Sequence, residues 1–276
     1  MIKIAGIKRK KIYSPNHVIN DALIFSKTVE RLNQLDVSVE IYEEDDVERI
    51  KEELIFSMAR DKKTINRLLK TEGENKKIIN SPIAEWNCLR VNMVGLLTKN
   101  NIPFPLTVAG EIDYLKRISF EQIDLRKVWI KRGDVHAIHK EDVIPVFSEE
   151  EKNNILDEFK RREIDTAILQ KHIEGKVVKF YAVYGTDFFE TYFSDRTNNI
   201  DFDKDKLKHY AAESAEAVGL DIYGGDAIIS PNGDITIIDI NDWPSFAPVR
   251  DEASIHIASF IYNKLKESTQ LQNQRR

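Results

Sequence analysis

The chain has 276 residues, 42% hydrophobic and 32% charged, with a net charge of −5 at pH 7. That composition excludes a disordered or fibrous protein, and its acidic balance gives no support to nucleic acid as a partner. The single cysteine, Cys88, rules out an internal disulfide framework and a thiolate zinc cluster.

No apolar run is long enough to cross a bilayer and the N-terminus carries no signal-like apolar core, so no membrane partner and a cytoplasmic location are the expectations. Residues 1–7 read as an opening strand, followed by a loop, Lys8 to His17, that holds Ser14-Pro15-Asn16. Asn20 or Asp21 is the expected cap of a helix carrying Leu23, Ile24, Val29 and Leu32 at helical spacing. Val37, Val39 and Ile41 alternate as a strand does, and Asp45-Asp46 opens a charged stretch expected to stay helical towards Leu69. Ile78-Ile79 reads as a strand running into Asn80-Ser81-Pro82, so the opening hundred residues predict a small α/β domain. In such a domain the loops after strands often hold ligands, which directs attention to Ser14–Asn16 and Asn80-Ser81.

Two prolines mark Asn101 to Thr107 as a linker. Beyond it, strands are expected at 128–131 and 143–147, then a helix capped by Ser148 with Glu151 three residues on. Strands at 166–173 and 176–184 flank Glu174-Gly175, and helices are expected at 207–218 and 252–265. Between those helices, Leu220 to Trp243 reads as a hairpin turning on Pro231-Asn-Gly-Asp234. On its second strand Asp239 and Asn241 share a face, with Ile238 and Ile240 expected on the other, and Asp226 opposes them from the first strand. Oxygen ligands so placed suit magnesium bound together with phosphates; acids edging a solvent-facing hairpin are the plainer alternative.

Other candidates follow from their surroundings. Lys131 ends the apolar run Val-Trp-Ile, where a lysine can neutralise nucleotide phosphates or simply face solvent. Lys179 lies inside Val177-Val-Lys-Phe-Tyr-Ala-Val183 and needs an anionic partner, a carboxylate or a phosphate. Gln170, Lys171, His172 and Ile173 have the form of an edge against which an adenine ring could lie. His136 and His139 are three apart with no evident third ligand, and no glycine-rich phosphate loop of the familiar kinds is present. Any ATP would need a different clamp.

Taken together, Lys131, Gln170–Ile173, Lys179, Asp226, Asp239 and Asn241 resemble the ATP-grasp superfamily. The pattern is nearest to glutathione-synthetase-like and ribosomal-protein-modifying ligases, and also to inositol phosphate kinases of the same fold. The Gly225-Asp226 pair and Asp239-Ile-Asn241, with Pro244 soon after, match the two magnesium-bearing strands of that family. Asp239 stands where many of these ligases have Glu, and Trp243-Pro-Ser-Phe246 replaces a smaller, glycine-containing segment.

The resemblance implies an α/β ATP-grasp fold with α+β lobes. A Rossmann-like pre-grasp domain over 1–105 would precede a central lobe at 106–173 and a metal-bearing C-terminal lobe at 174–276. It implies ATP and Mg2+ as cofactors, with adenine against residues 170–173, Lys131 and Lys179 on phosphates, and Asp226, Asp239 and Asn241 on metal. It also implies a phosphate cover over 132–140, with Gly133. Arg250 is a candidate for holding an anionic substrate. The implied reaction is carboxylate–amine ligation of a small molecule or peptide through an acyl phosphate, with a homodimer possible. A small-molecule kinase and a non-catalytic nucleotide-binding module are the alternatives. Ser14, Asn16, Asn87 and Arg90 are candidates to face the acceptor.

Overall fold

The computed structural model describes residues 2–72, 76–135, 138–193 and 200–274, with backbone alone at 269 and 271–274. Three four-stranded sheets organise them, and the strands of each sheet come from one continuous stretch of sequence.

The first sheet is parallel, in the order β2-β1-β3-β4: β1 (Ile2–Ile7), β2 (Val37–Tyr42), β3 (Leu54–Ser57) and β4 (Lys77–Ile79). Helix α1 (Val18–Gln34) connects β1 to β2, and α2 (Lys62–Glu72) connects β3 to β4. The expected helix after Asp45-Asp46 is instead a short 3-10 segment, Glu44–Arg49, and then β3. All four residues of β3 are buried because other elements cover both faces of an inner parallel strand. Helix α1 starts at Val18 with His17 as its cap, so Asn20 and Asp21 stand inside its first turn.

Helices α3 (Pro82–Asn87) and α4 (Arg90–Lys99) lead to the second sheet, which is antiparallel in the order β5-β8-β6-β7. Its strands are β5 (Thr107–Glu111), β6 (Val128–Arg132), β7 (Val143–Val146) and β8 (Thr166–Lys171). Helices α5 (Ile112–Leu115) and α6 (Glu149–Arg161) close its core through Leu115, Leu156 and Phe159. Ser148 Oγ accepts from the Glu151 amide at 3.2 Å as expected, while the Glu151 carboxylate reaches one residue further back, to the Phe147 amide at 2.7 Å. The segment read as linker runs directly into β5, an edge strand half-exposed along its length.

The third sheet is antiparallel, β10-β9-β11-β12: β9 (Lys176–Val183), β10 (Phe189–Phe193), β11 (Ile222–Ile229) and β12 (Ile235–Asp242). Helix α7 (Lys204–Val218) and α4 cover one face through Ala211, Ala215, Met93 and Leu97. The final helix, α8 (Arg250–Gln274), packs on α1 and carries Ile257 and Ile261 into a core shared with Phe25, Phe56, Trp243 and Phe246. That core ties the third sheet to the first. Asn80 reinforces the tie: its Nδ2 donates to Ile222 O at 2.7 Å, and its Oδ1 accepts from the Asp221 and Ile222 amides. Asn80 therefore clamps two sheets together, and Ser81 caps α3 by accepting from the Ala84 amide.

Candidate active site

Strand β12 builds the site through a change of phase. Asp226 opposes Asp239 across β11 and β12, but Ala227 opposes Ile237, so Ile238 is an extra residue on β12. Such a bulge switches which side chains face the core. Ile235, Ile237 and Ile240 lie in the core under α7, whereas Ile238 faces a cleft. The expected pairing of Ile238 with Ile240 on one face is thus overturned by the bulge. Gly225 permits the close pairing beside it, since a Cβ there would stand 2.4 Å from Asp239 O.

On the cleft side, Lys131 at the end of β6 donates to Ile238 O at 3.3 Å and is only 6% exposed. Burial pulls its ammonium down to about 8, with Asp239 and Asp226 opposing that fall and Arg90 adding to it. Lys179 on β9 sits opposite Asp226 in the register and pairs with it at 2.8 Å. Burial depresses Lys179, but the nearby Asp226 charge and hydrogen bond more than offset it, leaving its pKa raised. The carboxylate half of the sequence alternatives for Lys179 is therefore what the chain itself supplies.

Asp239 has a partner that sequence reading did not assign to it. Arg90, the first residue of α4, donates through Nη2 to Asp239 Oδ2 at 2.7 Å and through Nη1 to Arg132 O at 3.2 Å. Its Nε is buried without a hydrogen-bond partner among the described residues. Only residue type could have flagged Arg90, because the contact spans 149 positions.

Two cavities flank this cluster. The first is an apolar cleft of about 200 Å³ between the second and third sheets, walled by Trp129, Val143, Ile173, Val177, Ile228 and Ile238, with Lys131 at its edge. Gln170, Lys171 and His172 also line it. The backbone of β8 is largely committed there: Gln170 pairs with both Thr107 and Trp129, and the Lys171 amide donates to Leu106 O at 2.8 Å. Among the described residues, backbone without a ladder partner there begins at His172 and Ile173, past the strand end. The His172 ring is fixed by Trp129, whose Nε1 donates to His172 Nδ1 at 3.0 Å. Gln170 is 2% exposed, and its Nε2 is buried with no hydrogen-bond partner among the described residues.

The second cavity, about 430 Å³, lies between the third sheet and the loops at the C-terminal ends of β1 and β3. Arg9, Ser14, Arg60, Lys179, Asp226 and Asn241 line it, with Arg90. Beneath it, buried Asp242 receives Arg9 and Arg60, each at 3.4 Å, and Arg9 also meets Asp21 at 3.1 Å. Glu85 lies under the same wall; burial, reinforced by Asp242 and only partly offset by Ser57, holds it well above the usual carboxyl range.

Other candidates sit elsewhere. Arg250 donates to Asn20 Oδ1 at 2.7 Å and does not line the cavity, to which its own segment contributes Pro244, Ser245, Ala247 and Pro248. Asn87 donates to Val218 O and Asn16 to Ile138 O, while Ser14 and Arg90 face the cavity. His139 caps a 3-10 turn whose Asp142 accepts from the Ile138 and His139 amides; His136 lies outside the described residues. The 132–140 loop is described only in part, and Gly133 in it is wedged against Val91 and Ala167.

No protein-family model matches the sequence, and no curated protein matches it. Solved structures do. The D-alanine–D-alanine ligase from Bacillus anthracis complexed with ATP gives a TM-score of 0.72 at 11% identity, covering 97% of this chain and 99% of that one. The VanG D-Ala:D-Ser ligase from Enterococcus faecalis gives 0.71 at 15% identity, covering 95% and 98%. A RimK domain ATP-grasp protein from Sphaerobacter thermophilus gives 0.67 at 13% identity, covering 94% and 99%. The chain has the ATP-grasp fold.

Proposed function

We propose that the chain is an ATP-dependent carboxylate–amine ligase, which activates an acid as its acyl phosphate and joins it to an amine. The observation that carries this reading is the bulged strand β12, which borders an apolar cleft at Ile238 and a cation-rich cavity at Asn241. A nucleobase suits the first and an acid suits the second, with Lys131, Lys179, Asp226 and Asp239 at the junction. Structural neighbours named as ligases, one of them with ATP bound, support the same class. The three sheets support a division into a Rossmann-like pre-grasp domain at 1–105, a central lobe at 106–173 and a C-terminal lobe at 174–276.

In this reading adenine lies against His172 and Ile173, with Trp129 and Ile238 enclosing the ring. Lys131 and Lys179 hold phosphates. A carboxylate oxygen of the acid attacks the γ-phosphorus and ADP leaves; the amine nitrogen then adds to the acyl carbon, phosphate departs and the nitrogen loses a proton. Arg60 and Arg90, in the cavity wall, orient the acid. No side chain need act as nucleophile, so rate comes from positioning and fixed charge. The donor set fits magnesium: two carboxylates opposed across β11 and β12, with the Asn241 amide oxygen, are the hard oxygen ligands it takes. Bound there, magnesium would neutralise phosphate charge.

A second reading, a small-molecule kinase, draws on the same cations, which also suit a phosphorylated acceptor. ATP turnover with magnesium against pooled acids and amines, with product masses, separates the two. An acid–amine condensation product that vanishes in Asp239→Asn supports the ligase; a phosphorylated hydroxyl overturns it.

A further inference from the structure

The cation-rich cavity does not end at Arg9. A second chamber of about 300 Å³ opens on the far side, and Arg9, Ser14 and Asp21 line both. It stands at the C-terminal edge of the parallel sheet, where β1 has β2 on one side and β3 on the other, the place at which such sheets bind ligands. Its floor is apolar (Val18, Ala22, Phe25 and Met58) and its rim is basic, from the run Lys8 to Lys11. The two chambers are lined by seven cationic side chains and three carboxylates, and four more carboxylates, Asp45, Asp61, Asp239 and Asp242, pair with Lys10, Arg90, Arg9 and Arg60 without lining either chamber.

Those cations differ in how far the protein has already neutralised them. Arg9 is held by Asp21 and Asp242, and Lys10 by Asp45 and Asp61 at 2.7 Å each. Among the described residues Lys8 pairs with an exposed Glu43 alone, at 3.6 Å, and its ammonium lies 5.9 Å from the Phe25 ring centre. Lys11 has no ion-pair partner among the described residues. At the waist between the chambers, Ser14 is 9% exposed, and its hydroxyl has no hydrogen-bond partner among the described residues. A hydroxyl that opens on both chambers without a partner from the described residues can donate to a ligand there.

We infer that the acid substrate is dianionic. One carboxylate lies by Lys179 and Arg60 for activation, Ser14 donates at the waist, a short hydrocarbon stretch crosses Phe25 and Met58, and a second anionic group ends between Lys8 and Lys11. This rests on the ligase reading for the role of the first carboxylate, but the second site stands on its own geometry. A distal carboxylate and a distal phosphonate share the required chemistry.

The test uses hydroxylamine in place of the amine, so that acid preference is read as hydroxamate. Straight-chain dicarboxylates and phosphonocarboxylates of graded length are compared with the monomethyl esters that remove the distal charge. The full-length chain should favour a dianion over its ester by about tenfold or more in kcat/KM at low salt. That ratio should fall towards one in the Lys8→Gln/Lys11→Gln double variant, and the two dianion series show which distal group is preferred. Calorimetric titration of the same acids, with and without a non-hydrolysable ATP analogue, gives a readout independent of turnover. Dianion binding that depends on Lys8 and Lys11 without hydroxamate from any acid would refute the ligase reading and leave the second site standing. Equal binding of dianion and ester, or a preference unchanged in the double variant, overturns the inference.

Discussion

Arg90 and Asp239 meet at 2.7 Å with their side chains 7% and 11% exposed, joining the start of α4 to the middle of β12. The guanidinium also binds Arg132 O at the end of β6, so one side chain ties together a helix and two sheets. Because removing one partner of a buried pair takes a counter-ion from the other, Arg90→Met should cost about 3–5 kcal/mol. Urea unfolding measures it through the midpoint at constant slope; a loss below about 1 kcal/mol would mean that the pair is not buried in solution.

Lys179 and Asp226 should behave differently. Their pair is as short, at 2.8 Å, but the lysine is 44% exposed and solvent screens it. Lys179→Met should change stability by about 1 kcal/mol or less while nucleotide turnover collapses. Stability and turnover lost together would make Lys179 a structural residue.

Lys131 sets a pH dependence with two opposed signs. Its ammonium titrates at about 8 in the folded chain, below its ordinary value of 10.5, because burial disfavours the charge. Between those values the unfolded chain holds a proton that the folded chain has lost, so Lys131's contribution to stability rises with pH across that window. Below about 8 the buried charge is present and its full cost is felt. Phosphate binding needs that charge, so affinity for ADP should fall by about tenfold between about pH 7 and 9. Lys131→Arg should flatten the profile, since a guanidinium stays charged. An identical profile in that variant would place the titrating group elsewhere.

Gly225 supplies a purely steric test. A Cβ there would meet Asp239 O at 2.4 Å and the Phe180 ring at 2.4 Å, with a strand on each side preventing relief. Gly225→Ala should lower stability by about 1–3 kcal/mol, read as a fall in Tm. An unchanged Tm would show that β11 and β12 can separate beside the bulge.

The sequence resolved the hairpin well, because Asp226, the Pro231–Asp234 turn and Asp239-Ile-Asn241 are local features with strong turn and strand chemistry. It also located β6, β8 and β9, where apolar runs carry their own lysines. It missed β3 because a short buried strand flanked by Lys51-Glu-Glu and Arg60-Asp-Lys has no alternation to read. It could not foresee the bulge, since an extra residue in one strand is visible only against its partner. Arg90 escaped assignment to Asp239 for a related reason: a contact between residues 90 and 239 is a product of the tertiary fold. Arg250, a candidate by residue type alone, bonds in the structure to Asn20, which lines the larger cavity.

The central claim is that phosphate is transferred to a carboxylate, and isotope transfer tests it most directly. The acid giving the fastest ADP release would be labelled with oxygen-18 in its carboxylate and turned over with ATP, magnesium and hydroxylamine. The account predicts one labelled oxygen in the released phosphate, because the carboxylate oxygen that attacks phosphorus leaves with it. Label remaining wholly in the organic product, or phosphate remaining on a hydroxyl, would contradict it.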